Sequence, residues 1–254
     1  MADVRPLTDE GFWDDFWSDT QVPTRVDVDG RFERVFLPVL DQDLAGPPGR
    51  RLVEIGCAPG RWLALCHERY GFEVSGVESS PAGIAKTREN LSAMGVPVEL
   101  FGTDFMAWDP PDGSFDVVLS LGFIEHFDQP QTVVDRHAAL LRPGGLLILE
   151  VPYMRGLLWP LLSLTRSPLL EHHNMAVMSP AALRRLCDRD GLQEVATRYL
   201  GGFEPSLVDV TERSIAVRAA WSAVAKARQA WKWTDRVGGR VGAGACLAVY
   251  RRAS

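Results

Sequence analysis

Residues 51–66 read RLVEIGCAPGRWLALC. Leu52, Val53 and Ile55 form a short apolar run with β-branched members, the pattern of a buried strand. Gly56 ends that run, and Gly56, Ala58 and Gly60 set small residues at alternate positions. Trp62, Leu63, Leu65 and Cys66 then open a helical pattern. A strand, a tight glycine turn and a helix make the first unit of a doubly wound α/β domain, in which a ligand lies close against bare backbone. The spacing is Gly-x-x-x-Gly rather than Gly-x-Gly-x-x-Gly. No Lys-Ser/Thr pair follows Gly60, so the turn is not a phosphate-cradling P-loop.

The alternation continues downstream. Residues 71–78 read as a second strand ending on Glu78, and an acid there in a doubly wound fold accepts hydrogen bonds from both ribose hydroxyls of a nucleotide. Ser80-Pro81 then supplies an N-cap with proline at the first helical position. Residues 96–101 and 115–120 make strands three and four. Each leads into a loop: Gly102-Thr103-Asp104-Phe105 after the third, and Leu121-Gly122-Phe123-Ile124-Glu125-His126-Phe127 after the fourth. Leu141-Arg142-Pro143-Gly144-Gly145 is a turn before a fifth strand at 146–151, with further strands near 192–199 and 245–250. Upstream, Gly46-Pro47-Pro48-Gly49 sets off residues 1–49, where Phe12, Trp13, Phe16 and Trp17 have the spacing of an amphipathic helix. Val35, Phe36, Val39 and Leu40 indicate a second helix.

The acid-x-Gly-x-x-x-Gly pattern of Glu54, Gly56 and Gly60 resembles motif I of the class I S-adenosylmethionine-dependent methyltransferases, and three later stretches follow that family in order and spacing. The resemblance covers residues 50–152 well and the remainder loosely. It implies a Rossmann-like fold with a doubly wound, seven-stranded, mostly parallel sheet, whose last strand enters antiparallel beside the fifth. It implies S-adenosyl-L-methionine as cofactor, held by Glu54, Gly56, Ala58, Gly60 and Glu78. Asp104 would face the adenine amine with Phe105 on the ring, and the backbone at Leu121 would face the methionine part. The first 49 residues would be a helical cap, with Trp17 as an aromatic lid near the sulfonium. Residues 50–254 would be the methyltransferase domain, carrying an apolar insertion at 153–178 that builds the acceptor pocket and an added basic helix at 211–236. Metal-dependent relatives carry Glu-x-x-Glu-His in the fourth loop; here Gly122 stands in the first acidic position, so no metal is expected.

These residues imply methyl transfer to a small molecule, with oxygen as the acceptor atom. A hydroxyl nucleophile needs a base for its proton, and His is suited to that near neutral pH. His126, His172 and His173 are the candidates, with Tyr153 positioning the acceptor. A carbon or amine acceptor, a macromolecular acceptor, an NAD-dependent oxidoreductase and a non-catalytic partner that binds the cofactor are the alternatives. The absent third glycine counts against the oxidoreductase.

Composition bounds the rest. A net charge of −6 disfavours a large nucleic-acid surface. Cys57, Cys66, Cys187 and Cys246 form no Cys-x-x-Cys pair, which fits a reducing cytoplasm. The opening MADVRPLTDEGFWDDFW has acids where a signal peptide needs an apolar run, and no apolar stretch is long enough to span a bilayer. Charge is uneven, however: residues 212–252 hold nine Lys or Arg against Glu212 and Asp235. Arg213, Arg218, Lys226, Arg228, Lys232 and Arg236 accompany Trp221, Trp231 and Trp233, so this segment should bury one apolar side and present a cationic one. A pocket wall or a contact between two copies of the chain would use it.

Overall fold

The computed structural model describes residues 4–156, 158–165, 167–202, 208, 210, 214–230 and 239–254. Seven strands form one sheet: β1 (Arg51–Ile55), β2 (Glu73–Glu78), β3 (Val98–Gly102), β4 (Phe115–Leu121), β5 (Leu141–Pro152), β6 (Leu192–Leu200) and β7 (Ala245–Arg252). Their order across the sheet is β3-β2-β1-β4-β5-β7-β6, and β7 runs antiparallel to both neighbours. The sheet reverses direction of growth between β1 and β4, which places a crevice at their carboxyl ends.

Side chains alternate between two apolar layers, one on each face of the sheet. Along β5, Leu147, Leu149 and Val151 enter one layer while Leu146 and Ile148 enter the other. Along β7, Cys246, Ala248 and Tyr250 alternate in the same way with Ala245, Leu247 and Val249. That period of two buries both faces and needs helices on each. One face is covered by α2 (Glu33–Asp43), α3 (Arg61–Tyr70) and α4 (Pro81–Ala93), through Phe36, Leu40, Leu63 and Leu91. The other is covered by α5 (Pro130–Ala139), α6 (Leu158–Thr165) and α7 (Pro180–Cys187), through Val133, Leu162 and Leu183. The N-terminal α1 (Glu10–Ser18) lies on α4.

The strand expected at 96–101 begins two residues later. The Val96 amide is taken by the Leu91 carbonyl at 3.0 Å, which ties it to the end of α4 instead of to the sheet. The turn expected at 141–145 lies inside β5. Leu141 pairs with Phe115, and pairing resumes at Val117 and Leu146. Arg142 on this bulge pairs with Asp116, whose other carboxylate oxygen accepts the Arg51 amide at 2.9 Å. One acid therefore joins the starts of β1, β4 and β5.

The basic segment differs most from expectation. Within it α8 (Ile215–Ala230) is largely exposed, with Ile215 83% and Val217 46% accessible. Of its apolar side chains, Trp221 packs at the edge of the core. Both faces of the sheet are already covered, so no apolar layer remains for a whole helix side. Arg213, Trp231, Lys232, Trp233 and Arg236 lie outside the described residues. A four-residue helix, α9 (Gly239–Gly242), precedes β7. No helix among the described residues is long and apolar enough to cross a membrane.

His137 on α5 is fully buried under Phe105 and Phe123, with ring centroids 4.6 and 5.9 Å away. Its Nδ1–H donates to the Val133 carbonyl at 2.7 Å. Burial lowers its pKa from 6.5 to about 4. The unfolded chain takes up this proton near 6.5 and the folded chain only near 4. Its contribution to stability is therefore complete above pH 6.5 and is lost as the pH falls through about 4. His137→Leu should flatten the acid-side loss of stability across that window by about 1.4 kcal/mol per pH unit. Thermal melts over a pH series check this, and an unchanged slope would place the proton uptake at other groups.

Candidate functional site

The β1 exit is a left-handed turn. Gly56 has φ +72°, and the amides of Gly56 and Cys57 both donate to the Val77 carbonyl, at 2.9 and 3.2 Å. Gly60 has φ +84° and starts α3; a Cβ there would come within 2.9 Å of Thr87 Cγ2. A Cβ on Gly56 would come within 2.9 Å of the Phe123 ring. Glu54 accepts the Leu63 amide at the start of α3, which fixes strand to helix. Its carboxyl is buried, and that burial pushes its pKa well up.

Glu78 sits beside this turn. Its carboxylate accepts the Ser80 amide at 2.8 Å and further amides from Ala58 and Ser79. Burial raises its pKa, opposed by those three amides. Trp17 borders it: a Cβ built on Gly83 would lie 2.9 Å from Glu78 Cγ and 3.0 Å from Trp17 Cδ1. Trp17 Nε1 is buried without a partner. The helix that carries it is anchored by Asp14, which accepts the Ser80 hydroxyl and the Ala82 amide at the start of α4. The structure thus gathers Trp17, Glu54, Gly56, Ala58, Gly60 and Glu78 around one turn.

Asp104 is exposed at the neighbouring strand end, where the Thr103 amide donates to the Glu78 carbonyl at 3.1 Å. Its carboxylate accepts the Met106 amide at 2.9 Å. Phe105 follows Asp104 in this loop. It is buried against His137 and Phe123 in the core. Leu121 ends β4, and the following Gly122 (φ +64°) donates its amide to the Glu150 carbonyl at 2.9 Å.

The fourth loop turns through Ile124–His126 as a short 3-10 helix. His126 Nδ1 lies 2.9 Å from the His172 carbonyl, and His173 Nδ1 lies 2.6 Å from the Leu169 carbonyl. A carbonyl only accepts, so each Nδ1 carries the hydrogen and each Nε2 holds a lone pair. The two rings are 4.4 Å apart. Phe12 packs on His172 and Trp13 on His126. Burial lowers His126 to a pKa of about 4, and its neighbour His173 adds to the shift. Glu125 Oε1 is 3.9 Å from His126 Nε2. Both Glu125 oxygens are buried without partners, and burial drives the carboxyl well up. Donor atoms of Glu125, His126 and His173 lie within 4.8 Å of one another, a spacing that could hold a cation.

Tyr153 belongs to a different compartment. Its hydroxyl donates to the Arg240 carbonyl at 2.7 Å, and burial raises its pKa to about 12. It borders a cavity of about 760 Å³ lined by Arg155, Trp159, Met175, Tyr199 and Arg240 as well. None of the three histidines lines that cavity; Met175, two residues beyond His173, connects the two places. Several participants carry no local sequence signal. Phe123 over Gly56 and Asp14 on α4 are set by tertiary packing. Glu150, half-buried near Glu125 and with desolvation raising its pKa to about 8, reads in the sequence only as part of a strand.

A family model described as a methyltransferase domain matches residues 30–197. Over 111 residues the chain is 34% identical to the ubiquinone biosynthesis O-methyltransferase of Cereibacter sphaeroides, covering 42% of this chain and 44% of that one. Over 102 residues it is 32% identical to the 2-methyl-6-phytyl-1,4-hydroquinone methyltransferase of Synechocystis, covering 40% and 32%. The match therefore spans less than half the length of these relatives. In fold, the chain is similar to Haemonchus contortus phosphoethanolamine N-methyltransferase 2 solved with S-adenosyl-L-methionine. The TM-score is 0.60 at 14% identity, over 86% of this chain and 52% of that one. If Glu78 holds a ribose, Glu78→Ala should weaken S-adenosylhomocysteine binding by about 1–3 kcal/mol, as two charge-assisted hydrogen bonds are lost. Isothermal titration measures this, and an unchanged affinity would put the ribose elsewhere.

Proposed function

The chain belongs to the class I S-adenosylmethionine-dependent methyltransferase family, and from that premise we propose that it methylates a small molecule at oxygen, with His126 as the base. When bound, the cofactor supplies an electrophilic methyl group on a sulfonium sulfur. Glu78 would hold the ribose, and the bare backbone at Gly56 and Ala58 would let the cofactor lie against the turn. Glu54 keeps that turn fixed to α3. Trp17 beside Glu78 helps exclude water, which favours alignment of nucleophile, methyl and sulfur.

The observation that carries the base assignment is the His126 Nδ1 contact with the His172 carbonyl. It fixes the tautomer with the lone pair on Nε2, free to take a hydroxyl proton, although the burial that keeps the ring neutral, at a pKa of about 4, also makes it a weaker base. Glu125 is the ionisable group next to the imidazolium that results. The two relatives are named for an O-methyltransferase and a hydroquinone methyltransferase, which supports a small hydroxylated acceptor. Four free, buried cysteines agree with a cytoplasmic setting.

A second reading is favoured by the approach of Glu125, His126 and His173, which would place a divalent cation among them. Gly122 withholds a further donor, and the metal-free reading is preferred here. EDTA should leave turnover unchanged; loss restored by magnesium would reassign the three side chains as ligands. His126→Gln should lower kcat by about 10²-fold or more while S-adenosylhomocysteine still raises the melting temperature. A melting shift with NAD and none with S-adenosylhomocysteine would overturn the whole assignment.

A further inference from the structure

The cavity at Tyr153 has a charge character that the reaction alone does not require. Its floor is the carboxyl ends of β5 and β6, through Tyr153 and Tyr199, whose rings meet edge to face at 5.0 Å. Trp159 of α6 stands at the wall with 47% of its surface exposed. Among the described residues two arginines line this space, Arg155 and Arg240, and no carboxylate does. Among the described residues neither arginine makes an ion pair. That contrasts with a chain whose net charge is −6.

Both arginines are held in place. Arg155 Nε donates to the Met175 carbonyl at 3.1 Å, which orients the guanidinium and leaves its two terminal nitrogens for another acceptor. The Arg240 backbone is pinned twice. Its carbonyl accepts the Tyr153 hydroxyl. Gly156 (φ +61°) passes so close that a Cβ there would meet the Arg240 carbonyl at 3.0 Å and the Val241 carbonyl at 2.4 Å. A glycine and a buried tyrosine thus bring the short α9 against the segment that joins β5 to α6. Guanidinium forks bind carboxylate and phosphate groups with two parallel hydrogen bonds, and aromatic walls receive a planar ring. A space of several hundred Å³ suits a compact organic ligand.

We propose that this cavity binds the anionic end of the methyl acceptor, a small ring compound bearing a carboxylate or phosphate group that Arg155 and Arg240 recognise, with its hydroxyl directed past Met175 towards His126. The proposal rests on the methyl-transfer reading only in naming the occupant an acceptor; the anion site itself is tested without catalysis. The full chain, saturated with S-adenosylhomocysteine, is titrated with 3,4-dihydroxybenzoate, phenyl phosphate and catechol while melting temperature is followed. At least one of the two anions should give a saturable rise that catechol does not. Which of the two acts separates a carboxylate from a phosphate ligand.

Arg155→Gln and Arg240→Gln should each weaken that binding at least ~10-fold, and the corresponding lysine variants should recover part of it. The shift given by S-adenosylhomocysteine should persist in all four variants, which shows that they fold and that the cofactor side is intact. No rise with either anion, an equal rise with catechol, or binding undiminished in both glutamine variants would overturn the proposal. Loss of the S-adenosylhomocysteine shift in the unaltered protein would instead overturn the methyltransferase reading and leave the anion result standing by itself.

Discussion

The left-handed turn at Gly56 is the constraint on which the carboxyl edge of the sheet depends. Its two amides close on the Val77 carbonyl, so the exit of β1 is tied to the end of β2. That tie brings the Ala58 amide to Glu78, and it sets the direction in which α3 leaves. The absence of a side chain at Gly56 lets Phe123 approach from the β4 loop. Any L-residue there would meet both a disfavoured backbone angle and an aromatic ring. The same argument holds at Gly60 against Thr87 and Leu91. Cofactor-side geometry, the first helix and the fourth loop are therefore consequences of one turn.

Around that turn the protein buries Glu54, Glu78 and Glu125 and half-buries Glu150. Glu54, Glu78, Glu125 and Glu150 all have raised pKa values, and burial is the leading cause in each. Glu78 is partly compensated by three amides, whereas Glu125 has only its own backbone amide to oppose burial. An isolated buried carboxylate is costly, so these groups favour their neutral forms until a positive charge comes near. A sulfonium is such a charge.

Much of this was legible in the sequence because it is local. Alternating apolar residues marked the strands, and the Gly56–Gly60 spacing together with Ser80-Pro81 marked where helices begin. The resemblance supplied the antiparallel last strand, which the structure bears out. What sequence could not give was long-range. The turn chemistry at 141–145 was readable, but the Asp116–Arg142 pair that draws it into β5 was not. Phe105 has the composition of a ligand contact and the packing of a core residue. Three tryptophans suggested a buried helix side in the basic segment; Trp221 packs at the edge of the core, and Trp231 and Trp233 lie outside the described residues. Arg155 and Arg240 are far apart in the chain, and only the approach at Gly156 puts them in one wall.

α1 joins the parts that sequence kept separate. Asp14 fixes it to the start of α4, and Trp17 lies beside Glu78. One turn earlier on the same helix, Phe12 and Trp13 contact His172 and His126. A helix of nine residues therefore touches Glu78 and the histidine cluster at once. Rigid helix geometry prevents it from leaving one while keeping the other. The acids and histidines beneath it form a single covered region, and the arginine-lined cavity lies beyond His173, outside that cover. Positive charge is favoured under α1 and negative charge at Arg155 and Arg240, so the carboxyl edge is polarised from β1 towards β6. On the acceptor reading, the anionic group would sit at Arg155 and Arg240 while the rest of the molecule reached towards His126, so that its hydroxyl could meet the methyl group directly.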